Sequence, residues 1–305
     1  MVEPFAYEFF RNAFAAALMV GLLCGLMGVY IVVRGMSYIG HGLSHAAFGG
    51  AVAGYLFRVN FYASAAVIAL LAVVTIQRIS DGRRLRADAA IGIVTTALFA
   101  LGVALISHRG RFERSFEAAL FGNILGVTAL DLWVIGAVLV LCVGGVLALY
   151  RPLLFTAFDE ETAAVFGVSV RRLRFLFSFL LALCVIASMN IVGVTMIAAT
   201  LVMPAATVRM LTDSFHRMAL LSPLLGAATG GTGMYVSYHL DTASGATIVL
   251  VGAMLFAAAW AYRSVLERSA HVHVHRHGTV AHAHPHGHDV DHHHGHRPPE
   301  HTTRL

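Results

Sequence analysis

His41 and His45 stand four residues apart in the run Gly40-His41-Gly42-Leu43-Ser44-His45-Ala46-Ala47-Phe48-Gly49-Gly50. On a helix this spacing puts both imidazoles on one face, with Cβ atoms about 5–6 Å apart. Two imidazoles at that separation suit a single transition-metal ion. The surrounding run is apolar, and ionisable groups at membrane depth are costly enough to mark a pathway or a site. The alternative is a pair of histidines that only pack between helices, and spacing alone does not separate the two. Ser44, between them, either orients an imidazole through its hydroxyl or packs as a small residue. Gly40, Gly42, Gly49, Gly50 and Gly54 permit close approach of neighbouring helices.

The other histidines are concentrated at one end. Thirteen of the 18 fall between His271 and His301. They are His271, His273, His275, His277, His282, His284, His286, His288, His292, His293, His294, His296 and His301. A segment of this composition cannot bury a core, which predicts a disordered tail. Histidine-rich tracts bind zinc, copper or nickel, so a metal buffer or sensor is the functional reading. The chain then divides into a membrane domain, residues 1–268, and a tail, residues 269–305. His239 with Asp241, and His108, fall near outer helix ends. They are candidate outer metal contacts or ordinary interfacial polar residues.

These residues need a scaffold, and the composition dictates its kind. Apolar residues make up 58% of the chain, charged residues 12%, and the mean hydropathy is +0.76. Apolar runs of about 20 residues recur from end to end, each long enough to cross a bilayer core. An all-α polytopic membrane protein follows; a barrel would alternate in polarity with period two. Nine apolar segments are expected, near 9–33, 41–57, 61–77, 89–106, 131–150, 173–189, 191–211, 217–238 and 244–263. The second is short and glycine-rich, so a broken or tilted helix, and a count of eight, is the alternative. The first is not a cleavable signal peptide, because Glu3 and Glu8 stand where a positive region is needed.

Arginine sets the orientation. All 21 basic residues are arginine. Without lysine there is no Walker A loop, so the chain is not itself a P-loop ATPase. With nine spans, one set of loops carries 13 arginines and the other five, tail excluded. The richer side is cytoplasmic, which places the N-terminus outside and the tail inside. The net charge of +5 therefore reports membrane orientation and not nucleic-acid binding. Cys24, Cys142 and Cys184 lie in apolar runs, are odd in number and lack ligand spacing, as packing residues do.

Two loops are more than turns. Residues 108–128, with Arg109, Arg111, Glu113, Arg114 and Glu117, read as an amphipathic outer stretch. On the inner side, Asp159 is a plausible N-cap. Glu160 and Glu161 fall in the first turn after it and Gly167 lies past the end, which predicts a short surface helix able to dock a soluble partner. Pro204 is expected to kink its helix.

Three motifs, in order, resemble the permease subunits of bacterial ABC importers for zinc and manganese. They are Gly28-Val29-Tyr30-Ile31-Val32-Val33-Arg34-Gly35-Met36-Ser37-Tyr38-Ile39-Gly40 continuing to Leu43-Ser44-His45-Ala46; Phe158-Asp159-Glu160-Glu161-Thr162-Ala163 with Gly167; and Gly193-Val194 with Leu201-Val202-Met203-Pro204-Ala205-Ala206-Thr207. The resemblance covers about residues 10–263. It implies the ABC importer permease fold in a bacterial inner membrane. It further implies a second copy of the chain, an ATPase dimer on the cytoplasmic face and an extracytoplasmic metal-binding protein. Asp159, Glu160, Glu161, Ala163 and Gly167 match the ATPase-coupling region, and His45 matches a histidine in the translocation path. The family typically has Asp four residues before that histidine, where this chain has His41. Exchanging an oxygen for a nitrogen ligand points to zinc; manganese or iron through the same architecture is the alternative. No resident cofactor is expected, since the metal is cargo, and no enzymatic activity in this subunit. A metal transporter working without ATP is a further alternative. It would need ionisable relays in several spans, and few ionisable residues are found there beyond His41 and His45.

Overall fold

The computed structural model describes residues 3–81, 85, 87–109, 122, 126–269, 271–277 and 280–286. After a 3-10 turn at Glu3–Ala6, eleven α-helices follow among the described residues. We label them α1 (Glu8–Val33), α2 (Ser37–Leu56), α3 (Phe61–Asp81), α4 (Ala87–Arg109), α5 (Ala129–Ala148), α6 (Tyr150–Phe158), α7 (Glu160–Val165), α8 (Val170–Val192), α9 (Ile197–Leu211), α10 (Phe215–Leu240) and α11 (Ser244–Ser269). Each expected apolar segment overlaps one helix, in order, but 191–211 is met only by the 15-residue α9, its first residues falling in the end of α8 and a turn. Six of them (α1, α3, α4, α5, α8 and α11) are long and apolar enough to cross a membrane. The glycine-rich α2 is an unbroken 20-residue helix. The outer stretch at residues 110–121 lies outside the described residues.

The chain divides into two compact units, Met1–Ala259 and Trp260–Leu305. In the first, α1 is the central post. Phe10, Ala13, Leu23, Cys24, Met27, Val29 and Ile31 on it are fully buried. It runs antiparallel to α10: a Cβ on Gly21 would strike the Gly226 carbonyl, and one on Gly226 the Gly21 carbonyl. Only glycine allows backbones that close in a helix pair. Beside this pair, α2 packs against α3 and α4, with Phe48 and Phe99 rings 5.3 Å apart. The cysteines are buried and unpaired with one another by disulfide; Cys24 Sγ lies 3.7 Å from Ser188 Oγ and joins α1 to α8.

The turn between α8 and α9 is buried. Ile191, Val192 and Val194 are at most 1% exposed, and Gly193 takes φ +90°, a conformation that suits glycine. At 1.5 Å per residue the 15-residue α9 reaches about 22 Å, short of a ~30 Å hydrocarbon core. Non-helical backbone is tolerated at such depth when protein surrounds it. Pro204 sits inside α9, which is continuous over Ile197–Leu211.

In the second unit, two described stretches of the tail are strands where disorder is expected. Strands β1 (His271–His277) and β2 (Val280–His286) form an antiparallel ribbon. The alternation that denies the segment a core is also the period-two pattern of a strand. Its register pairs His271 with His286, His273 with His284 and His275 with His282. His288, His292, His293, His294 and His296 lie outside the described residues.

Candidate functional site

Helix α2 positions both candidate ligands. His41 and His45, one turn apart, point the same way, and their Nε2 atoms are 2.9 Å apart. The rings meet edge to face with centroids 4.3 Å apart. His41 is exposed and His45 is half-buried, its ring 4.5 Å from that of Phe99 on α4. Phe99 forms an apolar wall against the His45 imidazole.

This is close to a chelating geometry. Two nitrogens bound to one tetrahedral ion at ~2.0–2.1 Å must stand about 3.3–3.4 Å apart. The rings need to part by roughly 0.4 Å, within the reach of small χ changes. In the metal-free arrangement one Nε2 donates its proton to the other. Two Nε2 atoms bound to one ion would both need their protons on Nδ1, so the ring that donates here would change tautomer while the other already has its proton there. His45 Nδ1 is buried with no hydrogen-bond partner. A proton placed there goes unsatisfied, at a cost of about 1–3 kcal/mol.

Ser44 does not serve the imidazoles. Its hydroxyl is 2.8 Å from the His41 carbonyl and 3.0 Å from the Val194 carbonyl, so it ties α2 to the buried α8–α9 turn. Neither contact is visible in sequence spacing. Among the described residues no set of three or more His, Cys, Asp or Glu groups is gathered around a possible ion.

The remaining candidates sit elsewhere. His239 closes α10 against Tyr235, with ring centroids 4.6 Å apart. Asp241 is the left-handed cap residue of the same helix. They neighbour each other at one helix end and are not joined to His41 or His45.

The predicted surface helix is there, with a companion that the sequence did not announce. α6 precedes it, and Asp159 breaks the two apart in an extended conformation. Asp159 caps α7, accepting from the Thr162 backbone N–H at 2.9 Å and from its hydroxyl at 2.5 Å. These bonds hold its carboxyl below the usual carboxylate range. Gly167 takes φ +83° past the end. Of the carried-over residues, Ala163 is fully buried, while Glu160 bonds Arg174 of α8 at 2.6 Å. Arg174 also approaches Asp81 at the end of α3, at 3.7 Å. Around this anchor Phe158, Val165 and Phe166 are 69%, 86% and 75% exposed. Side chains this apolar and this open mark a contact surface.

Sequence reasoning missed one link. Arg34, in the turn that starts α2, donates from Nη2 to Thr156 Oγ1 on α6 at 2.8 Å, and its guanidinium lies 4.9 Å over the Phe177 ring. The surface segment is thereby bonded to the base of the histidine-bearing helix. The only sequence signal is an arginine at a span end, which positive-inside counting had absorbed.

Comparisons agree with this arrangement. The model of the ABC 3 transport family matches residues 6–263. The manganese transport system membrane protein MntC of Halalkalibacterium halodurans is 36% identical over 255 residues, covering 84% of this chain and 87% of that one. The manganese import system permease protein ScaB of Streptococcus parasanguinis is 37% identical over 255 residues, covering 82% and 89%. Among solved structures, PsaBC from Streptococcus pneumoniae in complex with Fab superposes with a TM-score of 0.77 at 32% identity, over 85% of this chain and 96% of that one. With the family model spanning nearly the whole helical body, the chain belongs to the ABC 3 transport family, as a multi-pass membrane permease of the metal-importing ABC type.

Proposed function

We propose that the chain is the membrane subunit of an ATP-driven importer of manganese, passing the ion along the axis between two copies of itself. The observation that carries this reading is the convergence of His41 and His45 Nε2 on one face of α2, in a chain whose relatives bear manganese-transport names. Two ligands are too few for a closed site. A two-fold axis would double them from the same surface of a second copy. The segment from Asp159 to Gly167, with exposed Phe158, Val165 and Phe166, docks a dimeric ATPase on the cytoplasmic face. An extracytoplasmic metal-binding protein delivers the ion near His239 and Asp241. The assembly sits in the bacterial inner membrane, surrounded by lipid, with nine spans and the C-terminal tail inside. There the paired histidines of the β1–β2 ribbon buffer incoming metal.

Zinc is the second reading, and one observation favours it. Both ligands on α2 are imidazoles, and nitrogen donors suit zinc better than manganese, which takes oxygen. Uptake by the complex reconstituted with its ATPase decides between them. The expected result is manganese accumulation with wild-type protein and none with His45→Ala. Accumulation of zinc with exclusion of manganese selects the second reading. Undiminished uptake by His45→Ala overturns both.

A further inference from the structure

A groove of about 430 Å³ opens between the end of α3 and the start of α8. Arg78, Arg171 and Arg172 line it together with Gln77, Phe175 and Leu176. It is separate from the histidine pair, and neither the ion path nor the coupling segment uses it.

Its charges do not balance. Arg171 pairs with Asp81 at 3.1 Å, and Asp81 is shared with Arg174. Arg78 and Arg172 have no ion pair among the described residues. Two guanidiniums thus face one concavity without a counter-ion among the described residues. The other wall is apolar, with Phe175 and Leu176 37% and 42% exposed.

Position selects the ligand. Arg78 lies in the last turn of α3, and Arg171 and Arg172 in the first turn of α8. The apolar residues follow one turn further into the span. A ligand seated here meets cations at the membrane boundary and hydrocarbon beyond. Arginine placement puts this end of both helices on the cytoplasmic side, where basic pockets between spans receive lipid headgroups. We infer that this groove binds one anionic phospholipid. Its phosphate lies between Arg78 and Arg172, and an acyl chain runs along Phe175 and Leu176.

The test uses the full-length chain in discs of zwitterionic lipid containing a minor fraction of phosphatidylglycerol. Native mass spectrometry counts the lipids kept through graded detergent washing. The expected result is one phosphatidylglycerol retained per chain and no phosphatidylcholine. Arg78→Gln and Arg172→Gln should each weaken retention about fivefold, the effect of one basic residue at an anionic surface. Arg58→Gln, at the opposite end of α3, should leave it intact, and circular dichroism confirms that each variant is folded. Equal retention of phosphatidylcholine, or full retention by the Arg78→Gln/Arg172→Gln double variant, overturns the inference. Displacement of the lipid by millimolar inorganic phosphate would assign the site to a soluble anion and overturn it as well. None of these readouts requires transport, so the outcome is independent of which metal is carried.

Discussion

Replacing Thr156 by valine tests whether the surface segment and the histidine-bearing helix are one mechanical unit. Valine matches threonine in shape and removes only the hydroxyl. Thr156 is 4% exposed, so water does not readily replace what is lost. The Arg34 guanidinium loses its acceptor at 2.8 Å, and Arg34 Nε already lacks one. A hydrogen bond to a charged group contributes about 1.5–3 kcal/mol. The position over Phe177 at 4.9 Å is kept, which retains roughly 0.5–2 kcal/mol of cation–π attraction. The net loss should be about 2–3 kcal/mol, the hydrogen-bond contribution nearly undiminished. At ~2–4 °C per kcal/mol for a chain of this size, the apparent unfolding temperature should fall by roughly 4–12 °C. A double-mutant cycle with Arg34→Met isolates the pair, and an interaction energy of about 1.5 kcal/mol or more is expected. In the reconstituted complex, Thr156→Val should raise the ATP hydrolysed per ion carried. If the two substitutions add to within about 0.5 kcal/mol, the bond carries no energy. If the ATP-to-ion ratio is also unchanged, the reasoning is wrong.

Other outcomes follow from the same contacts. His41→Asp replaces one nitrogen donor by oxygen and should raise the manganese-to-zinc uptake ratio about tenfold or more; an unchanged ratio removes His41 from the ligand set. Transport should fade below about pH 6, because imidazole must be neutral to bind metal; flat uptake with an active ATPase contradicts histidine ligation. Asp159 is held below its ordinary 3.8. Its cap is at full strength above that value and is lost only as pH falls through the lowered one, so the capping segment should show no transition in hydrogen exchange between pH 5 and 8. Gly226→Val drives a side chain into the Gly21 carbonyl and should abolish folded yield, while Gly136→Ala, with open space around it, should be silent in the same expression assay.

The long helices were legible because apolar runs of about 20 residues have one solution in a bilayer. The capped turn at Asp159 was legible because capping is local chemistry. What sequence could not supply was pairing across distance. Ser44 looked like a partner for the imidazoles, yet it bonds a carbonyl 150 residues away. Arg34 looked like a topology marker, yet it reaches Thr156 122 residues on. The tail shows the limit of composition: the same alternation that forbids a core also permits a ribbon, and a count of polar residues does not choose between them. The metal fared likewise. His41 argues for zinc by donor chemistry, while overall kinship argues for manganese, because selectivity resides in the complete ligand set and not in one side chain.

The Gly21–Gly226 crossing has a mechanical corollary. Where two main chains touch directly, there are no rotamers to rearrange, so the crossing is either closed or broken. Helices α1 and α10 must then travel together as a keel through any transport cycle. Helix α2 is closed on its neighbours in the same way: a Cβ on Gly49 would strike the Leu98 carbonyl of α4, and one on Gly50 the Ser64 carbonyl of α3. The histidines ride on this second block, so the pair moves only when α2, α3 and α4 move as one body.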